Sequence, residues 1–318
     1  MNKENPIDTP SMEVNMKSLF WTGKLSLPVM LMVNANNLVA FLNGNSRNKL
    51  SMKERVKLGY EGVFSDHVKG YDNLAAEYQK KAAIAQLSGM DLWDKEVIDI
   101  GCGTGIIALL ALEMGAKKAL CGDISGYMLK IAQEKSKSAG YDSTRISFCQ
   151  LDAESLPFDD NCFDVVISGM SFGLFPDQRK SVREMFRVLK PGGLISLGAH
   201  GPEHYWEAID ANIRALSKRY VLGYRFEFWP RTEKQIGNIM KTCGFRDVHT
   251  NRFIWRNMFR TTEDACDFFA SVSSNWWFAK IPESKREHEY NKAKRLFEKR
   301  GIKQVTDDVI IGYGEKPE

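Results

Sequence analysis

Val97-Ile98-Asp99-Ile100-Gly101-Cys102-Gly103-Thr104-Gly105 carries a short apolar strand (EVIDI, from Glu96) into a glycine turn, and IIALLALEM continues as a helix closed by Gly115. Strand, glycine turn and helix in that order are the context that a nucleotide-binding turn requires. The glycines allow a tight turn and let a ligand reach the backbone where a Cβ would collide. Their positions, 101, 103 and 105, depart from the dinucleotide fingerprint, whose third glycine would fall at 106, where Ile106 stands.

Outward from this turn, short apolar segments alternate with amphipathic ones. KALCGD (Lys118–Asp123), RISFCQLD (Arg145–Asp152), FDVVIS (Phe163–Ser168) and LISLGAH (Leu194–His200) read as strands. GYMLKIAQEKSKSAG and SVREMFRVL read as helices, the second stopped by Lys190-Pro191-Gly192-Gly193. TEKQIGNIMKTCGF follows as a helix with Thr232 as N-cap and Gly244 as its stop. RDVHTNRFIW and DVIIGYGEK (Asp308–Lys316) are the last strands. The alternation predicts an α/β fold of Rossmann-like type: a mostly parallel seven-stranded sheet with helices on both faces. Two aromatic-rich segments, 201–231 and 257–306, interrupt the pattern and are expected to form a helical cap. Residues 1–60 form an N-terminal extension ahead of a main domain over 61–318.

Three aspartates end three consecutive strands. Asp99 precedes the glycine turn, where a carboxylate repels a pyrophosphate and attracts a cationic amino-acid moiety. Asp123 is placed to accept from both hydroxyls of a ribose. Asp152 can accept from an exocyclic amine such as that of adenine. Each could instead simply cap the helix that follows it. A nicotinamide-dependent oxidoreductase would share the turn and Asp123, but neither the glycine spacing nor a use for Asp152.

VIDIGCGTG, GDISGYMLKIAQEK, LDAESLPFDDNCFDVVIS and REMFRVLKPGGLISL resemble the successive motifs of class I S-adenosylmethionine-dependent methyltransferases. The similarity is greatest to the ubiquinone/menaquinone-biosynthesis type, the methyltransferase 11 group. It covers 71–200 and returns at 232–256 and 308–317. The resemblance implies S-adenosylmethionine as cofactor. Its methionine part would lie on Asp99 and the turn Gly101, Cys102, Gly103 and Gly105, with its ribose on Asp123. Ile124 would pack on adenine, Asp152 and Ala153 would contact its edge, and Ser168 would reach the methionine end. Tyr71, in YDNLAAEY, is similar to a segment that folds over the cofactor in many relatives. Those motifs do not specify the methyl acceptor, and a protein that binds the cofactor without turnover would carry them too.

Composition narrows the acceptor class. Across 318 residues, 43% are hydrophobic, 26% are charged, and the net charge is only +4. That balance gives no footprint for nucleic acid, so a small-molecule acceptor is expected. Six scattered cysteines without a C-x-x-C pair suit a reducing cytoplasm and argue against a metal site. Leu25–Leu42 is apolar, but Pro28, Asn34, Asn36 and Asn37 interrupt it, so it is no transmembrane segment. It is expected to pack on its own protein or lid the site, which leaves room for peripheral contact with a membrane surface. The basic stretch 280–303 reads as a solvated helix face.

The insertions hold Tyr205, Trp206, Tyr220, Tyr224, Phe226, Phe228, Trp229, Phe259, Phe268, Phe269, Trp276, Trp277 and Phe278. They predict an apolar cavity for an aromatic, prenylated or otherwise lipophilic acceptor (a lipid, quinone or secondary metabolite), a second small core in the cap, or both. Methyl transfer from a sulfonium is a direct displacement, for which alignment and exclusion of water matter more than a dedicated side chain. His200 and His204, in GAHGPEH after the fifth strand, are the candidate bases.

Overall fold

The computed structural model describes residues 23–42, 79–221, 232–273 and 281–318. Its seven strands form one sheet in the order β3-β2-β1-β4-β5-β7-β6. They are β1 (Glu96–Ile100), β2 (Lys118–Asp123), β3 (Ile146–Gln150), β4 (Phe163–Ser168), β5 (Leu189–His200), β6 (Arg246–Met258) and β7 (Gln304–Glu315). The first five pair in parallel, and β7 runs antiparallel between β5 and β6. Val97, Ile98 and Ile100 of β1 and Val165, Val166 and Ile167 of β4 are buried, as strands covered on both faces must be. The edge strand β6 instead alternates, exposing Arg246, Arg252 and Arg256 at intervals that discourage pairing with another chain.

Among the described residues the helices of eight or more residues are, in chain order, α1 (Leu27–Leu42), α2 (79–87), α3 (Ile106–Glu113), α4 (Gly126–Ser138), α5 (Gln178–Val188), α6 (Trp206–Ala215), α7 (Glu233–Thr242), α8 (Thr262–Ser273) and α9 (Glu283–Arg300). Local chemistry starts and stops them. Ser125 caps α4 by accepting the Met128 N–H at 3.3 Å. Asp177 caps α5 through the Lys180 N–H at 3.1 Å. Thr232 and Gln235 exchange bonds in a capping box at the start of α7, and Gly244, at φ +102°, follows its end. Between the sheet and its helices lie two cores, one around Ile98, Phe172, Leu197 and Met240, the other around Leu87, Ala111, Cys121 and Ile167.

Besides β3, which ends at Gln150 and not at Asp152, three boundaries differ from the sequence reading. The Lys190–Gly193 turn does not precede β5 but lies within it: Leu189 pairs with Phe163, and Gly192 and Gly193 exchange backbone bonds with Lys316. β6 continues to Met258 and β7 begins at Gln304, because these antiparallel strands pair with each other beyond the parallel core, as far as Met258 opposite Gln304. Asp307, which the sequence reading left just ahead of the last strand, is therefore a strand residue.

The insertion helices α6, α8 and α9 build a further core from Ala208, Ile213, Phe268, Phe269 and Phe297. Val29 and Val33 of α1 join it, so the apolar N-terminal stretch packs on its own protein. Ser26 fixes the start of α1 by donating its N–H to Asp210 Oδ1 at 2.9 Å, and Arg214 and Arg300 neutralise that carboxylate. The charged helix α9 exposes Lys285, Glu287, Arg295 and Lys299 while burying Ala293 and Phe297. Among the described residues no helix is long and apolar enough to cross a membrane.

Candidate active site

The strand order reverses between β1 and β4, and in open α/β sheets ligands bind beyond the carboxyl ends of the strands at such a switch point. A cavity of about 270 Å³ opens there, lined by the glycine turn, the loops after β2, β3 and β4, and the first insertion.

The turn is held to β2: the Gly101 and Cys102 N–H groups donate to the Gly122 carbonyl at 2.7 and 3.0 Å. Gly101 and Gly103 have φ of +75° and +53°, the left-handed region that favours glycine. A Cβ on Gly101 would collide with the Ser171 side chain, whereas one on Gly103 would meet no atom within 4 Å and the cavity borders that residue. Gly105 serves another purpose. It starts α3 at φ +84°, and a Cβ there would press on Ala132 of α4 at 3.1 Å, so it sets helix packing and does not border the cavity.

Asp99, Cys102, Asp123, Ile124, Asp152 and Ala153 all line the cavity. Asp99 is 1% exposed, and neither of its carboxylate oxygens has a hydrogen-bond partner among the described residues. Burial, reinforced by the neighbouring Asp123 carboxylate, pushes its pKa up to about 8. Asp123 is also raised by burial, but the backbone amides of Ser125, Gly103 and Ile124 oppose the shift; Ser125 N–H donates to its Oδ1 at 2.9 Å and Gly103 N–H to its Oδ2 at 2.8 Å. Asp123 does not cap α4 itself; Ser125 does, and Asp123 holds the amide of that cap. A carboxylate has about four acceptor positions, so it retains capacity for hydroxyls. Asp152 Oδ1 accepts the Glu154 N–H at 2.9 Å. Burial first, and then Cys121, hold the Cys102 thiol well above its ordinary pKa, so it is a neutral wall of the cavity.

Ser168 is placed differently from expectation. It ends β4, but its hydroxyl is fully buried against Ser171 Oγ at 3.1 Å and does not border the cavity; Gly169, Met170 and Ser171 take that position. Tyr71 and the aromatics 224–229 and 276–278 lie outside the described residues. Trp206 does not border the cavity; Lys24 Nζ lies 4.6 Å from its ring centre.

At the far end, the cavity wall is Tyr205, Ile209, Phe269, Val272 and Val309, so cap residues both close a core and line the site. His200 and His204 border this end, their ring centres 4.2 Å apart, and His204 stacks on Tyr205 at 3.7 Å. Polar lining residues that the sequence reading did not single out include Gln86, Ser171 and Asp307. Gln86 reads as one residue on an amphipathic helix, yet it is 3% exposed and donates to the Ser168 carbonyl and to Ser196 Oγ at 3.2 and 3.0 Å. Asp307 had one legible signal, an acidic pair opening an otherwise apolar terminal strand.

The description "methyltransferase domain" fits residues 98–197 as a family model. Over 183 residues the chain is 30% identical to a ubiquinone/menaquinone biosynthesis C-methyltransferase of Pseudoalteromonas translucida, covering 53% of this chain and 68% of the relative. The chain belongs to the S-adenosylmethionine-dependent methyltransferases. A demethylmenaquinone methyltransferase of Desulfitobacterium hafniense is 34% identical over 170 residues, 48% of this chain and 66% of the relative. The chain thus spans about two thirds of the length of these relatives. The YcgJ protein of Bacillus subtilis shares the fold, with a TM-score of 0.51 at 18% identity over 76% of this chain and 99% of that one.

The cofactor of this methyltransferase family, S-adenosylmethionine, fits what the site offers. The unpartnered carboxylate of Asp99 supplies a counter-charge for a cation, and Gly103 leaves backbone open to the cavity. No group of three metal-ligating side chains occurs among the described residues.

Proposed function

We propose that this methyltransferase acts on a ring carbon of a small lipophilic quinol bound at the far end of the cavity. One observation carries the reading: a single cavity joins the acidic, glycine-lined end at β1 and β2 to a wall of Tyr205, Ile209, Phe269, Val272 and Val309. The relatives named as quinone-biosynthesis C-methyltransferases support the same acceptor class.

In this reading Asp123 holds the ribose, Ile124 and Met128 cover the adenine, Asp152 and Ala153 meet its edge, and Asp99 with the Gly101–Gly103 turn holds the methionine portion. When bound, the cofactor supplies an electrophilic methyl group on a sulfonium. The chain's own task is alignment and exclusion of water. The apolar cap wall surrounds the acceptor ring and leaves only its reacting edge facing the acidic end, so orientation is settled before reaction. Polar groups at the ring hydroxyls come from His200, His204, Tyr205 and Asp307.

The test is incubation of the full chain with the cofactor and a 2-prenyl-1,4-naphthohydroquinone under reducing conditions. S-adenosylhomocysteine is expected to accumulate only when the quinol is present. Accumulation that ignores the quinol, or that follows an amine or a nucleic acid instead, refutes the acceptor class.

A further inference from the structure

Side chains from four elements converge where the acceptor ring would sit: His200 ends β5, His204 and Tyr205 precede α6, Asn257 lies on β6, and Asp307 lies on β7. Asp307 is 6% exposed and borders the cavity. Its Oδ2 accepts from Asn257 Nδ2 at 2.6 Å, and the Tyr205 side chain also hydrogen bonds to it. Tyr205 is held in the left-handed region at φ +52°, its N–H bonded to the Thr306 carbonyl at 2.7 Å. Backbone strain of this kind, in a bulky residue, gathers at functional sites.

His204 Nδ1 lies 3.6 Å from Asp307 Oδ1 but accepts the Asp308 N–H at 3.3 Å. A ring nitrogen that accepts carries no proton, so the neutral ring bears its hydrogen on Nε2. With Nδ1 engaged by a backbone amide, His204 is less well placed than Asp307 to take a proton. The adjacent acid is spent elsewhere. Asp308 receives Arg252 Nε and Nη2, each at 2.8 Å, together with the Glu203 N–H at 2.7 Å. Neighbouring strand residues point to opposite faces, which puts one carboxylate on the arginine and leaves the other on the cavity.

We propose that Asp307 is the proton acceptor of the methylation, taking the proton of the acceptor's ring hydroxyl; this rests on the quinol reading above. The hydroxyl O–H bond breaks, its electron pair stays on oxygen and is shared with the ring carbon, and the carboxylate gains an O–H bond. Once that carbon carries the methyl group, the hydrogen it already bore leaves as a proton, and Asp307 returns its own proton to the ring oxygen. One proton per turnover reaches solvent. Burial brings the Asp307 pKa up to about 6, and the bonds from Asn257 and Tyr205 and the charge of Lys81 oppose a larger rise, while Asp308 adds to it. Around it stand His200, His204, Tyr205, Lys81 and Asp308. A carboxylate in that range is ionised at neutral pH and basic enough to serve.

The experiment compares the wild type with Asp307→Asn and Asp307→Glu, using the naphthohydroquinone as probe. The wild-type single-turnover rate should fall about tenfold per pH unit below about 6. Asp307→Asn should lose about 10²-fold or more and lose that acid limb, with cofactor affinity by calorimetry unchanged and the fold intact by circular dichroism. Asp307→Glu should recover part of the rate and keep the limb. An Asp307→Asn protein that turns over within about threefold of wild type, limb intact, overturns the assignment and leaves the quinol reading standing. Should that variant fail to fold, a wild-type rate that stays flat from pH 5 to 7 overturns it independently. A wild type that never methylates the quinol overturns the reading and this inference together.

Discussion

Replacing Asp99 with asparagine should stabilise the ligand-free protein at neutral pH while weakening its hold on the cofactor. The carboxyl is 1% exposed and has no hydrogen-bond partner among the described residues, and burial moves its pKa from 3.8 to about 8. The folded chain therefore keeps a proton that the unfolded chain has released above pH 4. A raised pKa of this kind gives stability that is fully present below 3.8 and is lost as the pH rises toward 8. At about 1.36 kcal/mol per pH unit, Asp99 costs the fold about 4 kcal/mol at pH 7 and about 2 kcal/mol at pH 5. Asparagine has a similar shape and never ionises, so the gain should approach these values and level off above pH 8. Urea denaturation of both proteins without ligand, at pH 5, 7 and 8.5, reads it directly. The cofactor's positive charge should draw the proton off Asp99, so calorimetry in two buffers of different ionisation enthalpy should show proton release on binding at pH 7, absent in the variant. A stability difference that is the same at pH 5 and 7, or binding with no proton release by the wild type, refutes the reasoning.

Asp123→Ala should weaken S-adenosylhomocysteine binding by about 1.5–3 kcal/mol in isothermal titration, the range for hydrogen bonds to a charged group. Gly101→Ala meets both the Ser171 side chain and a backbone at φ +75°, so denaturation should show a loss of about 1–3 kcal/mol together with weaker cofactor binding. Phe268→Ala, at a fully buried position in the cap core, should cost about 3–5 kcal/mol in the same assay.

The parallel core was legible because its signals are local. An apolar strand covered on both faces, a glycine turn and a capped helix each fit within about ten residues, and Asp99 and Asp123 inherit their places from the ends of β1 and β2, while Asp152 lies two residues beyond β3. Ser168 was legible as a strand end but not as a side chain, since Ser171, a turn further on, decides where its hydroxyl points. Gly105 was grouped with its neighbours, although contact with Ala132, on a different helix, fixes its role. Asp307 was hidden for a topological reason. Its strand pairs with β6 across some fifty intervening residues, and no periodicity within the terminal segment shows that the ladder starts at Gln304. His200 ends β5 and His204 follows it, but which ring nitrogen of His204 accepts depends on the distant Asp308 amide.

The proposed chemistry is carbon methylation of a lipophilic quinol in this cavity. Single-turnover reaction of the full chain with deuteriomethyl-labelled S-adenosylmethionine and the prenylated naphthohydroquinone tests it most directly, with the product examined by NMR. The account predicts a deuterated methyl group on a ring carbon, in amount equal to the S-adenosylhomocysteine formed. A label found on a ring oxygen, or a quinol recovered unlabelled while the cofactor is consumed, would contradict it.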